Sequence, residues 1–222
     1  MRIDTKKQIK KYSETVTPRP ADYAALPVDV QDAVYAFDPD DLFALSGFSD
    51  HIAVAYVREV KGTVYQNVRM DEGTLKGTPY TSYEVRILKN IKGALKTDVT
   101  VPLLQYGGVT IDGARVAYIS ALLEQNRSYV LYLTSEPDGN LYVTRGFAVP
   151  GGNTEEGCRA LLDGKDGFFE PYYNAFLNEN KDLAPAVRYP TPYDAPEPAT
   201  PIPVSTEVPE TQTQAPDAFK SP

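Results

Sequence analysis

The chain has 222 residues, 42% hydrophobic and 23% charged, a balance that can bury the core of one ordinary domain with tails or of two small ones. Twenty-two Lys and Arg stand against thirty Asp and Glu, and the net charge of −8 speaks against a surface that tracks nucleic-acid phosphates. The single cysteine, Cys158, excludes an intrachain disulfide, and with the single histidine, His51, neither a His-rich nor a paired-Cys zinc site can be assembled.

No apolar run approaches the roughly 18 residues of a membrane span. Arg2, Lys6, Lys7, Lys10 and Lys11 make the start of the chain basic, like the head of a signal peptide without the apolar stretch that must follow. Residues 1–21 are therefore read as a basic, flexible segment. The protein is expected outside the cytoplasm, at a bacterial cell surface, with its leader absent from this chain; a cytoplasmic protein is the alternative.

From Asp22 to Ser49 the pattern is helical. Behind Pro27, Val30, Ala33 or Val34, and Phe37 share one face of a helix over 28–37. Asp38-Pro39 then reads as N-cap and first-turn proline of a second short helix through Leu42, Phe43 and Leu45, ended by Gly47. The carboxylates of Asp38, Asp40 and Asp41 lack the spacing of a calcium loop and suit a helix N-terminus.

At His51 the period changes to two. One strand is expected over about residues 51–66, with Gly62 allowing a bend or bulge. After a polar loop rich in Gly and Thr, residues 79–88 put Tyr83, Val85 and Ile87 on one face and Ser82, Glu84 and Arg86 on the other. Ile91-Lys92-Gly93 turns the chain into a strand over 98–103, whose Pro102 belongs on an edge. Val109 to Ser120 forms a hairpin about Asp112-Gly113 in a tight primed turn. Residues 128–134 are the clearest buried strand, joined through Pro137-Asp138-Gly139-Asn140 to a strand over 141–144. Thr154 to Leu162 and Pro171 to Asn178 are helical. Ala184 to Pro222 carries ten of the nineteen prolines and reads as a Pro/Thr-rich disordered tail. Strands at short spacing without strand–helix–strand alternation predict a mainly β fold: a five-stranded antiparallel barrel with flanking N- and C-terminal helices, over residues 22–183.

A short helix ending in Ser49-Asp50 is followed by the strand from His51 to Val57. Then come Tyr80-Thr81-Ser82-Tyr83-Glu84-Val85 closing with Ile91-Lys92-Gly93, the Gly107-Gly108 pair and Tyr129-Val130-Leu131-Tyr132-Leu133. That order resembles the netrin-like, or TIMP-like, OB-fold domains of bacterial exported and cell-surface proteins, over about residues 38–147. The resemblance implies an OB-fold-like barrel more than an activity, since these residues are mostly fold determinants. The metalloprotease inhibitors of this fold act through an N-terminal cysteine, and this chain begins Met1-Arg2-Ile3, so that mechanism does not transfer.

Ser49, Asp50 and His51 are the residue types of a hydrolase triad, but consecutive residues entering a strand point to alternate faces and cannot converge. Cys158 has no adjacent histidine in sequence and suits a helix face. Gly107-Gly108 and the stretch from Gly146 to Gly152 lack phosphate-loop spacing, and Asp163 to Gly167 lacks oxygen ligands at Lys165 and Gly167, so no cofactor or metal is expected. Sixteen tyrosines and no tryptophan are more informative, because tyrosine on an outer sheet face offers amphipathic contact area. Tyr56, Tyr80, Tyr118, Tyr132 and Tyr142 are the candidate ligand-binding residues; as ordinary strand tyrosines they would be half-buried instead. The expectation is a non-enzymatic binding or structural module for a protein or cell-wall glycan partner, without nucleic acid. The alternatives are an inhibitor of a peptidase or cell-wall enzyme acting by strand-edge insertion, and a hydrolase whose carboxylates the sequence cannot place in space.

Overall fold

A computed structural model describes residues 5–32, 36–164 and 167–196. In chain order it contains α1 (Thr5–Glu14), β1 (Val28–Val30), α2 (Leu42–Phe48), β2 (His51–Asp71), β3 (Thr74–Lys92), β4 (Thr100–Val109), β5 (Val116–Tyr118), β6 (Arg127–Ser135), β7 (Leu141–Ala148), α3 (Glu155–Asp163) and α4 (Glu170–Leu177). Five strands close into a barrel in the order β4-β3-β2-β6-β7, and β7 returns to β4. The four pairs within that order are antiparallel, whereas the closing pair, Leu104 with Tyr142 and Gln105 with Val143, is parallel. The expectation of an all-antiparallel barrel is corrected here, because strand direction cannot alternate all the way round a ring with an odd number of members. The connectivity is that of an OB-fold-like barrel, with β5 and β1 extending the sheet beyond β4.

The long hairpin of β2 and β3 outruns its prediction. In place of a polar loop over 67–78 the strands pair to Asp71 and Thr74 and turn at Glu72 and Gly73, both with positive φ, as a two-residue primed turn requires. The register shifts between Val60 and Gly62, as expected for a bulge. Gly62 also admits a neighbour: a Cβ there would sit 2.2 Å from the Thr17 carbonyl oxygen, and Thr17 and Thr63 exchange backbone hydrogen bonds of 2.7 and 2.8 Å. Within the segment expected to be flexible, α1 lies against the hairpin, since Ile9 and Tyr12 share its half-buried face and the Tyr12 ring meets Tyr65 edge-on. The β4–β5 hairpin forms about Asp112-Gly113, but as a wider loop closed by Thr110 and Arg115 rather than a two-residue turn. Pro102 lies where β4 pairs with β3 alone, a position that needs no donor on its outer side.

The helix expected over 28–37 does not form at its start. Val28–Val30 instead pairs in parallel with β5, where two β-branched residues at i and i+2 suit a strand; residues 33–35 lie outside the described residues. The following helix begins later than expected. Asp41, not Asp38, is its N-cap, accepting from the Phe43 and Ala44 amides, while Asp38 caps the turn before it. Gly47 lies inside the helix, where a Cβ would stand 1.9 Å from the Asn180 carbonyl oxygen, so the glycine permits this backbone contact. Helices α3 and α4 sit where predicted, with Thr154 as N-cap and Pro171 in the first turn. Of the tail, residues 184–196 fold back on the barrel, because Ala195 and Lys96 donate to backbone oxygens of Ala94 and Tyr193, and Leu95 bridges Asp194. The expectation of disorder for residues 197–222 lies outside the described residues.

Two apolar clusters result. Ala53, Ala55, Val57, Tyr83, Val85, Ile87, Leu103, Leu131 and Leu133 fill the barrel. Ile52, Val54, Val130, Tyr132 and Cys158 form a second cluster with Leu45 of α2 and Tyr172 of α4, so β2 and β6 are buried on both faces. At the junction the buried Asp50 carboxylate accepts from the Ser135 amide at 2.8 Å and its hydroxyl at 2.9 Å. Removing a charged acceptor from a buried amide costs about 1–3 kcal/mol. Asp50→Ala should therefore lower the urea-unfolding free energy by about 3 kcal/mol, and Asp50→Asn, which keeps one acceptor, by roughly half as much.

Candidate functional site

The parallel closure brings three strands side by side, each with one tyrosine outside the interior cluster. Tyr80 of β3 meets Tyr106 of β4 and Tyr142 of β7 edge-to-face, with ring centroids 5.6 and 5.5 Å apart. These rings line a cleft of about 750 Å³. Further lining comes from Ser13 of α1, Gln66 and Asn67 of β2, and Glu136 and Asp138 of the β6–β7 turn. Asn67 has φ of +53° where the β2–β3 register shifts, so a bulge sets this part of the wall.

Several polar groups of the cleft have partners. Tyr142 Oη meets Gln66 Nε2, and Tyr106 Oη donates to Gln31 Oε1 at 2.6 Å. The Asp138 carboxylate accepts from the Asn140 amide at 2.9 Å and from its side chain at 2.7 Å, which holds the turn. Burial, then Tyr106 and Glu136, raise the Tyr80 phenol above its usual range. Burial raises Tyr142 as well, and Asp138, Tyr80 and Glu136 add to the shift against the hydrogen bond from Gln66. The lining contains these two carboxylates and neither lysine nor arginine.

Of the five tyrosines singled out from the sequence, Tyr80 and Tyr142 share this cleft and three do not. Tyr132, expected as outer contact area, is fully buried beneath the helices, because α2, α3 and α4 cover the outer face of β2 and β6. Tyr56 packs at the margin of the same cluster with its hydroxyl 3.3 Å from Asn126 Oδ1, and Tyr118 lies on β5. Tyr106 and Glu136 were missed. The first was hidden beside the Gly107-Gly108 break, and the second in a segment that reads only as a turn.

Ser49, Asp50 and His51 diverge as the strand geometry requires. Ser49 Oγ donates to the Leu45 carbonyl at 2.9 Å, Asp50 turns to Ser135, and His51 lies fully buried under residues 184–196. Arg188 Nη2 donates to His51 Nε2 at 3.0 Å and to Asp194 Oδ1 at 3.0 Å. Cys158 is buried in the helical cluster, which pushes its thiol up and suits a packing role. Asp38 and Asp41 accept backbone amides and Asp40 pairs with Arg145 at 2.5 Å, so these carboxylates are held apart in separate roles. Among the described residues no group of three or more His, Cys, Asp or Glu side chains could hold a metal ion. Lys165 and Asp166 of the loop after α3 lie outside the described residues. Comparison with protein-family models, with curated proteins and with solved structures gives no match to this chain.

Burial, reinforced by the Arg188 guanidinium, lowers the His51 pKa from 6.5 to about 4. A depressed folded-state pKa means that the unfolded chain takes up a proton first as pH falls. The contribution is present above pH 6.5 and is lost between pH 6.5 and 4, a change of roughly 3 kcal/mol. Urea titrations across this window should show that slope in the native protein. His51→Gln should lack it, and Arg188→Ala should move its lower limit toward pH 6.5.

Proposed function

We propose that this chain is a non-enzymatic, extracytoplasmic binding module of the netrin-like type, and that it holds its ligand in the tyrosine cleft over β3, β4 and β7. The observation that carries the reading is the convergence of Tyr80, Tyr106 and Tyr142 from three adjacent strands in one cleft of about 750 Å³. A volume of this order suits a small molecule or a short polymer segment. Fold-level analogy supports the location, since OB barrels bind chain ligands over their second and third strands and the loop joining the fourth and fifth. The corresponding elements here are β3, β4 and the β6–β7 turn. A single-stranded nucleic acid would need cations beside the rings, and the lining offers carboxylates. A protein or glycan partner fits this chemistry better. The extracytoplasmic setting rests on the sequence resemblance.

One observation favours the inhibitor reading. Among the described residues the outer strand β1 pairs only with β5 and exposes Val28 at 56% and Val30 at 63%, an edge to which a partner strand could add. Hydrolysis has less support, because Glu136 and Asp138 belong to one turn and Asp138 is engaged by Asn140.

Retention on a cell-envelope fraction distinguishes the two surfaces. With the cleft as the site, the double substitution Tyr106→Ala and Tyr142→Ala should cut retention by at least about tenfold while the barrel still unfolds cooperatively. Val30→Lys should leave retention unchanged. The opposite pattern would move the site to the β1 edge.

A further inference from the structure

We propose that the tyrosine cleft selects a positively charged, extended segment of a partner protein and places a lysine or arginine side chain against the rings of Tyr80, Tyr106 and Tyr142. This rests on the reading of the cleft as the ligand site and adds the chemistry of the ligand. Two features of the cleft favour a cation. Aromatic faces carry partial negative charge and attract ammonium and guanidinium groups, and here three rings lie in continuous contact. Glu136 and Asp138 stand among the lining residues, without a lysine or arginine to neutralise the cleft from within. Among the α1 lysines, Lys10 lies 4.0 Å from Glu14 and Lys11 lies over the Tyr12 ring, and none lines the cleft.

Part of the polar lining is already engaged, Tyr142 with Gln66, Tyr106 with Gln31, and Asp138 with Asn140. A cation is drawn by ring quadrupoles and carboxylate charge, and both persist when these hydrogen bonds are made. Size points to a peptide rather than a lone ammonium ion, for about 750 Å³ lined from α1, β2, β3, β4, β7 and a turn is far larger than one headgroup. The net charge of −8 would also steer a basic partner toward this chain.

An array of decapeptides graded from acidic to basic, probed with the full chain, tests this. Binding should rise with peptide positive charge, weaken at high salt, and fall about tenfold when the same peptides are lysine-acetylated. The double substitution Glu136→Gln and Asp138→Asn, the latter keeping one acceptor for the Asn140 amide, should weaken the basic peptides about fivefold while the chain still unfolds cooperatively, and Tyr106→Ala with Tyr142→Ala should abolish their binding. Equal binding of acetylated and unmodified peptides, or no effect of removing the two carboxylates, would overturn the preference for a cation. A cell-wall oligosaccharide that binds where basic peptides do not, and that is lost with the two tyrosines, would overturn the ligand class yet leave the cleft as the site. Failure of peptides and oligosaccharide alike would overturn both.

Discussion

Closure of the barrel at the short parallel seam between β4 and β7 is the constraint on which the rest of the structure depends. Two residue pairs make it, Leu104 with Tyr142 and Gln105 with Val143. Beyond them β4 turns its pairing to β5 through Gly107, Gly108 and Val109, so the seam cannot lengthen in that direction. Closure encloses the apolar inward residues of all five strands. It also seals polar side chains inside, Gln105 among them: its Oε1 accepts from the Tyr83 hydroxyl at 2.9 Å and the Leu123 amide at 3.1 Å, while its Nε2 donates to the Ala121 carbonyl at 3.0 Å. A buried amide side chain is tolerated because its partners are supplied in full. The same seam, seen from outside, sets Tyr106 and Tyr142 beside Tyr80 and so creates the cleft.

The barrel is not self-sufficient on its outer face. Ile52 and Val54 of β2 and Val130 and Tyr132 of β6 point outward and would be an aggregation-prone apolar surface if uncovered. Helices α2, α3 and α4 cover it, and polar contacts fix them there. Lys92 Nζ donates to the Ser46 carbonyl at 2.7 Å and pairs with Glu179 at 2.6 Å, joining the end of β3 to α2 and to the residues after α4. The returning segment over 184–196 covers the remaining end, where it buries Leu95 and His51. Burial, and then its Arg188, keep the imidazole neutral, which is how a histidine can lie fully buried at the first position of a central strand.

What the sequence showed follows from how far each signal reaches along the chain. Alternation with a period of two is local, and it located β2, β3, β6 and β7 and assigned Tyr83, Val85 and Ile87 to the inner face. Capping residues are local as well, and Thr154 and Pro171 marked the starts of α3 and α4. Where a local signal was ambiguous, tertiary pairing decided it. Val28 and Val30 suit either a helix or a strand, and the unpaired edge of β5 made them a strand. The proline-rich composition after Ala184 speaks of a low intrinsic tendency to order, yet Arg188, Asp194 and Ala195 find partners that only the folded barrel presents.

By itself, then, the sequence determined the mainly β class, the strand count of the barrel, the helices α2, α3 and α4 and the exclusion of disulfide and histidine-rich zinc chemistry, because each depends on composition or on neighbours a few residues apart. Only the tertiary structure decided which tyrosines meet. Tyr80, Tyr106 and Tyr142 are separated by 26 and 36 positions and become neighbours solely through ring closure, while Tyr132, on a strand of the same pattern, is buried because helices from both ends of the chain cover it. Alternation tells which side of its own strand a residue faces. What lies against that side is set by strands and helices far away in sequence, and this decides whether a tyrosine becomes core or part of a binding cleft.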